Sequence, residues 1–338
     1  TKTFAETLRT EYDAVTGENL GALIEGGSTN LCTYSEDFSN AGWNKSGLTS
    51  TANAIIAPDG TLSGDLITIT VGGGHVLGQA ITVIASTQYA FSFYVKKGTA
   101  TDLKCSVYDS TNLGNIIAPT SYFTEIGTDW TRISVTFTAP VGCTTATIYP
   151  VRDSGVTGTA YIWGAQCEAL TFATSYIRTE GAAVSRSTDN LSLPASGNMP
   201  PHNKEFTLNI DFAINGLPSG NAYLYDNGID GGVVRFARLS STGTTVAADG
   251  SSSGTVIVNP ATINEKINHI ITREDNNTVT TWYLNKVEKG GITIAPSSNN
   301  WPSFSVGSTK TFSQHINGHI SKLSTYAQAL TQQEITLL

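Results

Sequence analysis

Short runs in which apolar and polar residues alternate dominate the first half of the chain. Within residues 89–96, Phe91 and Phe93 alternate with Ser92 and Tyr94. A period of two is typical of a strand that is buried on one face only. Together with this run, about eight short strands are predicted, including those at residues 76–84, 103–108, 133–138, 146–151 and 159–168. Such a set favours a jelly-roll β-sandwich.

The second half repeats the strand pattern and ends differently. Alternating runs predict further strands at residues 206–212, 233–239, 256–258, 269–272 and 278–284. Near the end, Thr331 is followed three residues later by Glu334, which is the spacing of a capping box. One short helix is therefore predicted over residues 332–338.

Composition extends the strand pattern to a fold class and a domain plan. The 338 residues include 33 Gly, and only 14% are charged, which favours an all-β protein with two domains of ordinary size. We predict two tandem jelly-roll β-sandwiches with a short N-terminal arm and one short C-terminal helix. The predicted parts are a docking arm (1–29), a first sandwich (30–180), a Ser-, Thr-, Gly- and Pro-containing linker (181–203) and a second sandwich (204–338).

Charge and hydropathy exclude two classes of partner. The formal net charge is −8, and no basic cluster longer than Lys96-Lys97 is present, so a nucleic-acid backbone would be repelled. No apolar run reaches the length of a membrane span and no signal peptide precedes Thr1, so we expect a protein without membrane insertion. The missing initiating Met suggests a fragment or a processed product.

Four cysteines lie in the first half without metal-ligand spacing: Cys32, Cys105, Cys143 and Cys167. Buried free thiols are the expectation, and one or two disulfides within the first sandwich are the alternative.

Aromatic and basic residues on the predicted outer faces suggest a sugar site. Flat rings stack on the apolar face of a pyranose, while amide, carboxylate or guanidinium groups bind its hydroxyls. Outward-facing Tyr94 and Tyr108 are the leading candidates, and Trp43 and Trp163 could instead belong to the core. The full candidate set is Tyr94, Tyr108, Tyr149, Arg152, Trp43 and Trp163.

Carboxylates near the two ends of the first sandwich suggest a structural calcium ion. Glu36 and Asp37 lie near its start and Glu168 lies on its closing strand, so pairing of the first and last strands could bring them together. The alternative is that they are solvated turn residues. The scattered carboxylates come with no hydrolase motif, so we expect no catalytic activity.

The first half resembles a known family. Its carbohydrate-binding-module-like sandwich is similar to that of tailed-phage fibre and spike proteins. The residues that carry the resemblance are Asn30-Leu31, the segment from Tyr34 to Trp43, Ala57 to Thr61, Phe91 to Lys96, Trp163 to Glu168, and Phe172 to Ile177.

The second half is similar to a laminin-G or concanavalin-A-like jelly roll through residues 206–212, 282–285 and 318–323. Such domains usually have Gly after the Asn of the middle segment, where this chain has Lys286.

Together the resemblances imply a virion surface protein, either a tail fibre, a tail spike or a head fibre. Such a protein binds host cell-surface polysaccharide, commonly as a homotrimer, and contacts other virion proteins through residues 1–29. A purely structural connector is the alternative, and a polysaccharide hydrolase is a further one.

Overall fold

Strands make up nearly all of the regular structure in this computed structural model. The described residues are 9–12, 16–194, 198, 204–216, 222–226, 234–239, 245–249, 257–258, 265–274, 279–293, 303–307 and 315–338. They divide into one unit of Ser28–Arg186 and a second unit that combines Thr1–Gly27 with Ser187–Leu338.

The chain begins with β1 (Thr10–Tyr12) and β2 (Asn19–Ile24), which belong to the second unit. The strands of the first unit follow: β3 (Ser28–Asn30), β4 (Asn44–Ser46), β5 (Leu48–Ile56), β6 (Leu62–Ile69), β7 (Val76–Thr82), β8 (Gln88–Lys97), β9 (Lys104–Asp109), β10 (Gly114–Ser121), β11 (Thr131–Thr138), β12 (Thr145–Arg152), β13 (Gly158–Glu168) and β14 (Val184–Arg186).

The first unit contains two five-stranded antiparallel sheets and the short pair β14-β3. Sheet I has the order β10-β9-β12-β7-β4, and sheet II has the order β11-β8-β13-β6-β5. Inward side chains of both sheets form one apolar core, in which Val107 and Ile148 of sheet I join Phe91 and Phe93 of sheet II. The predicted sandwich and the predicted inward residues of β8 and β9 are confirmed.

Buried polar side chains fix the segment that follows β13. Asn30 donates to the carbonyls of Ala165 and Ile177, and its Oδ1 accepts from the backbone N–H groups of Cys32 and Cys167. The Asn30 amide thus makes the hydrogen bonds that water would make to these backbone groups if they were exposed, since buried backbone groups need partners.

Gln166 acts in the same way on the same segment. Its Oε1 accepts from the Ile177 N–H, and its Nε2 donates to the carbonyls of Thr174 and Ser175. Several residues that carry the family resemblance thus hold the backbone in place.

The second unit continues with β15 (Leu191–Pro194), β16 (Phe206–Ile214), β17 (Ala222–Asp226), β18 (Val234–Leu239), β19 (Thr245–Asp249), β20 (Ile257–Val258), β21 (Ile267–Arg273), β22 (Val279–Leu284), β23 (Val287–Thr293), β24 (Ser303–Val306), β25 (Gly318–Tyr326) and α1 (Gln332–Leu337). Its sheets have the orders β1-β2-β25-β16-β21-β22-β23 and β15-β24-β17-β18-β19-β20. The predicted capping box is present: Thr331 Oγ1 accepts from the Glu334 N–H, and the Glu334 carboxylate accepts from the Thr331 N–H.

The N-terminal segment, predicted as a docking arm, contributes strands to the second unit. Residues of β2 pair antiparallel with β25 and so extend a sheet of the second unit. Gly21 permits this close approach, because its φ is +101° and a Cβ there would lie 2.3 Å from the Ile320 carbonyl oxygen. The segment 181–203 also contains strands, with β14 in the first unit and β15 in the second.

The four cysteines are buried and free, as expected. Burial raises the pKa of the Cys105 and Cys143 thiols to about 11 in each case. Among the described residues, no helix has the length and apolar character needed to cross a membrane.

Candidate functional site

The six residues proposed as a sugar site lie in three different places in the first unit. Tyr108 is on β9, whereas Tyr149 and Arg152 are on β12, and these two strands are neighbours in sheet I. Tyr94 and Trp163 belong to sheet II. The six residues therefore do not share one face, because alternation along a strand separates inward from outward residues but does not say which sheet a strand joins.

Tyr108, Tyr149 and Arg152 form a cluster that we call the Tyr-Arg patch. The Arg152 Cζ lies 4.6 Å from the centroid of the Tyr149 ring and 5.2 Å from that of the Tyr108 ring. All three side chains are half-buried. A guanidinium over aromatic faces is stabilised by the ring quadrupole, so the three side chains hold one another in place.

A β-bulge brings Arg152 to the side of Tyr149. Residues three apart on a regular strand point to opposite faces. The pairing of β12 with β7 shifts register between Ile148 and Val151, however. Both of these residues are buried, although they are three apart in sequence. The bulge re-aims the end of the strand, so Tyr149 and Arg152 share the outer face of sheet I.

Three residues that the sequence did not single out complete the patch. Arg152 Nη1 donates to Ser106 Oγ and to Asn115 Oδ1, at 3.2 Å in each case. Gly78 gives room to the neighbouring ring, since a Cβ there would lie 2.4 Å from Tyr149 Cδ1. Alternation from Tyr108 indicates Ser106 as an outward residue, but only the strand pairing reveals Gly78 and Asn115.

Trp43 does not contribute to a sugar site, which corrects the candidate set. It is 1% exposed, its ring lies 4.8 Å from that of Phe38, and its Nε1 donates to the Tyr34 carbonyl. The ring is part of the apolar core, where a large aromatic residue gains most from burial.

Trp163 is likewise unavailable for stacking, since it is 3% exposed. Its ring lies 4.4 Å from that of Tyr176 and 5.4 Å from that of Tyr94, and its Nε1 donates to Ser63 Oγ. Tyr94 itself is half-buried, with the Arg132 guanidinium 5.4 Å from its ring. It therefore occupies the outer face of sheet II, apart from the Tyr-Arg patch.

The proposed calcium ligands do not converge. The Glu168 carboxylate is fully buried and accepts from the N–H and hydroxyl of Thr174. Asp37 Oδ1 accepts from the N–H groups of Ser39 and Asn40 in a local turn. Within the described ranges, no group of three or more His, Cys, Asp and Glu residues is arranged to hold a metal ion.

Glu36 has partners of its own. It accepts from Tyr176 Oη at 3.1 Å and pairs with Arg178 Nε at 3.1 Å. Burial raises the pKa of this carboxyl. Glu36 lines a cleft of about 330 Å³ together with Asp65, whose pKa is also raised by burial. Asp65 accepts from two backbone N–H groups and from Ser50, so it acts as a structural acceptor.

Lys45 places a positive charge near Asp37 and Asp65. Lys45 Nζ donates to the carbonyls of Phe38, Asn40 and Trp43, at 3.1, 2.7 and 2.9 Å. The pKa of Lys45 is lowered, because the effect of burial exceeds the opposite effect of the nearby Asp37 and Asp65. The loop from Phe38 to Trp43 is thus held together by the Lys45 ammonium.

Comparison with protein families agrees with the two sandwiches. Residues 32–150 match the family described as "Carbohydrate binding domain". Residues 185–336 match the "Concanavalin A-like lectin/glucanases superfamily". The chain thus contains a carbohydrate-binding domain followed by a concanavalin A-like lectin/glucanase domain, which supports glycan binding. No curated protein matches the chain.

Solved structures are similar to parts of the chain at low identity and with TM-scores below 0.5. Trypanosoma rangeli sialidase is 18% identical with a TM-score of 0.35 over 39% of this chain, which spans 22% of the sialidase. The enzymatically active domain of tailspike protein 4 from bacteriophage CBA120 is 18% identical with a TM-score of 0.33, covering 41% of this chain and 21% of that chain. A structure titled "CBM4 structure and function" is 18% identical with a TM-score of 0.27, covering 40% and 83%.

Proposed function

We propose that the chain is a non-catalytic glycan-binding protein on the surface of a bacteriophage virion, as part of a tail fibre, tail spike or head fibre. The observation that carries the glycan-binding part is the Tyr-Arg patch, in which two half-buried tyrosine rings flank a guanidinium on the outer face of a carbohydrate-binding domain. Aromatic rings with adjacent polar groups are the usual components of a sugar site.

The placement on a virion rests on the resemblance of the first half to tailed-phage fibre and spike proteins. In this proposal the protein is made in the host cytoplasm, assembles as a homotrimer and binds host cell-surface polysaccharide. Residues 1–29 attach it to other virion proteins. Strand β1 lies at one edge of its sheet and its residues are exposed, and an open edge can pair with a strand of another chain.

A glycan array of bacterial surface polysaccharides, probed with the purified chain, tests the glycan-binding part. We expect binding to a subset of glycans, and we expect the double variant Tyr108→Ala/Tyr149→Ala to lose it while keeping its circular dichroism spectrum. If the chain binds no glycan on the array, the glycan-binding part is refuted and the structural-connector alternative is favoured. Binding that the double variant retains in full would place the site elsewhere.

The virion part has a separate test. Antibodies against the chain should label an appendage of purified phage particles from the source of this sequence, and particles lacking the protein should adsorb poorly to host cells. Unlabelled particles, or unchanged adsorption, would contradict that part of the proposal without affecting sugar binding by the isolated protein.

A further inference from the structure

The hydrogen bonds of Arg152 leave one edge of its guanidinium unused. Its Nη1 donates to Ser106 and Asn115, while its Cζ lies over the rings of Tyr108 and Tyr149. A guanidinium has five N–H donors in one plane. Because both described acceptors lie at Nη1, the edge formed by Nε and Nη2 has no partner among the described residues.

This free edge is not fully buried. Buried side-chain atoms without a partner include the Nε of Arg132, but no atom of Arg152 belongs to that group. The charge of Arg152 is also not neutralised, since it takes part in none of the described ion pairs. Arg178 of the same unit, by contrast, contacts both Glu36 and Glu180.

Two adjacent N–H groups in a fixed plane match the two oxygens of a carboxylate. Such bidentate pairs are charge-assisted and stronger than hydrogen bonds between neutral groups. The contacts with Ser106, Asn115 and the two rings fix the plane in advance, which reduces the entropy lost when a ligand binds. A neutral sugar could use the same donors, but it would leave the positive charge without a partner.

We infer that the Tyr-Arg patch selects acidic glycans, with the Nε and Nη2 edge of Arg152 binding the carboxylate of a uronic acid, sialic acid or pyruvylated sugar. The inference rests on the proposed function and adds the ligand class. The net charge of −8, which repels a nucleic-acid backbone, also opposes an acidic glycan. Salt screens charges beyond about 8 Å at physiological ionic strength, so the unpaired Arg152 charge dominates at the point of contact.

The test compares each acidic glycan that binds on the array with the same glycan after chemical reduction of its carboxylates to primary alcohols. We expect reduction to weaken binding by roughly tenfold to a hundredfold, the range for loss of a charge-assisted hydrogen-bonded pair. Arg152→Lys keeps the charge but loses the planar fork, so it should weaken binding of the acidic glycan by a similar factor.

Lys104→Gln provides the matched control, since it removes one positive charge from β9 without touching the guanidinium. Its affinity should stay within about twofold of the unmodified protein, because the half-buried Lys104 ammonium already pairs with Asp102 Oδ2 at 3.9 Å and such a pair near the surface contributes little. Circular dichroism of each variant shows whether the fold is kept.

Three results would overturn the inference. These are equal binding of native and reduced glycans, full binding by Arg152→Lys, and an equal loss in Lys104→Gln. An array on which only neutral glycans bind would reject the acidic ligand while leaving the proposed glycan-binding function intact. No binding to any glycan would reject both.

Discussion

Replacement of Asn30 by alanine should destabilise the first unit strongly, because one side chain makes several buried hydrogen bonds. The fully buried amide makes four hydrogen bonds of 2.8 to 3.0 Å to the backbone, which join the start of the unit to β13 and to Ile177. Each such bond contributes about 1 kcal/mol net, and leaving buried partners unsatisfied costs more. We therefore expect Asn30→Ala to lower the free energy of unfolding by about 4 kcal/mol.

Thiol labelling as a function of urea concentration measures this loss in the first unit alone. All four cysteines lie between residues 28 and 186 and are buried, so a thiol reagent reports only the opening of that unit. This matters because a chain with two units need not unfold in one step. The labelling midpoint of Asn30→Ala should fall to a lower urea concentration.

The exposed Asn44, on the edge strand β4, provides the matched control. Asn44→Ala should change the free energy of unfolding by less than about 0.5 kcal/mol, as surface substitutions usually do. If Asn30→Ala costs less than about 1 kcal/mol, the side chain does not hold the closing segment in the way described.

Three further predictions concern other parts of the molecule. Lys45→Met removes three hydrogen bonds to loop carbonyls and should cost about 2 kcal/mol in the same labelling assay; an unchanged midpoint would contradict the role of the ammonium. Burial lowers the pKa of His269 to about 3, so the unfolded state alone binds a proton below pH 6.5, and the second unit should lose about 1.4 kcal/mol per pH unit as the pH falls towards 3. Urea unfolding at several pH values, followed by circular dichroism, should show this slope. His269→Phe should lower the slope by about 1.4 kcal/mol per pH unit, the contribution of one proton; equal slopes in the two proteins would contradict the lowered pKa of His269. Gly78→Val introduces a Cβ that would lie 2.4 Å from Tyr149 Cδ1, and titration should show roughly tenfold weaker glycan binding, equivalent to about 1.4 kcal/mol; unchanged affinity would mean that the ring position does not matter.

Local patterns were enough to predict six of the twelve strands of the first unit, β7, β8, β9, β11, β12 and β13, and the inward faces of β8 and β9. The alternation in β8 correctly placed Phe91 and Phe93 in the core, and the capping box correctly placed α1. Both signals arise from residues close together in sequence, where the periodicity of a strand or the reach of a side chain decides the geometry.

The arrangement of the candidate site depends on long-range pairing, which those patterns do not contain. Tyr94 and Tyr108 look equivalent in sequence, yet they lie in different sheets. The bulge that aligns Arg152 with Tyr149 depends on how β12 pairs with β7. Similarly, Glu168 satisfies Thr174 rather than a metal ion, and the carboxylate spacing alone could not distinguish these roles.

The most direct test of the central claim is a titration of the chain with a glycan that binds on the array, compared with a titration of Tyr108→Ala/Tyr149→Ala. The account predicts saturable binding by the unmodified protein and at least a tenfold loss in the double variant, with both proteins folded. Equal affinities in the two titrations would show that the Tyr-Arg patch is not the glycan-binding site.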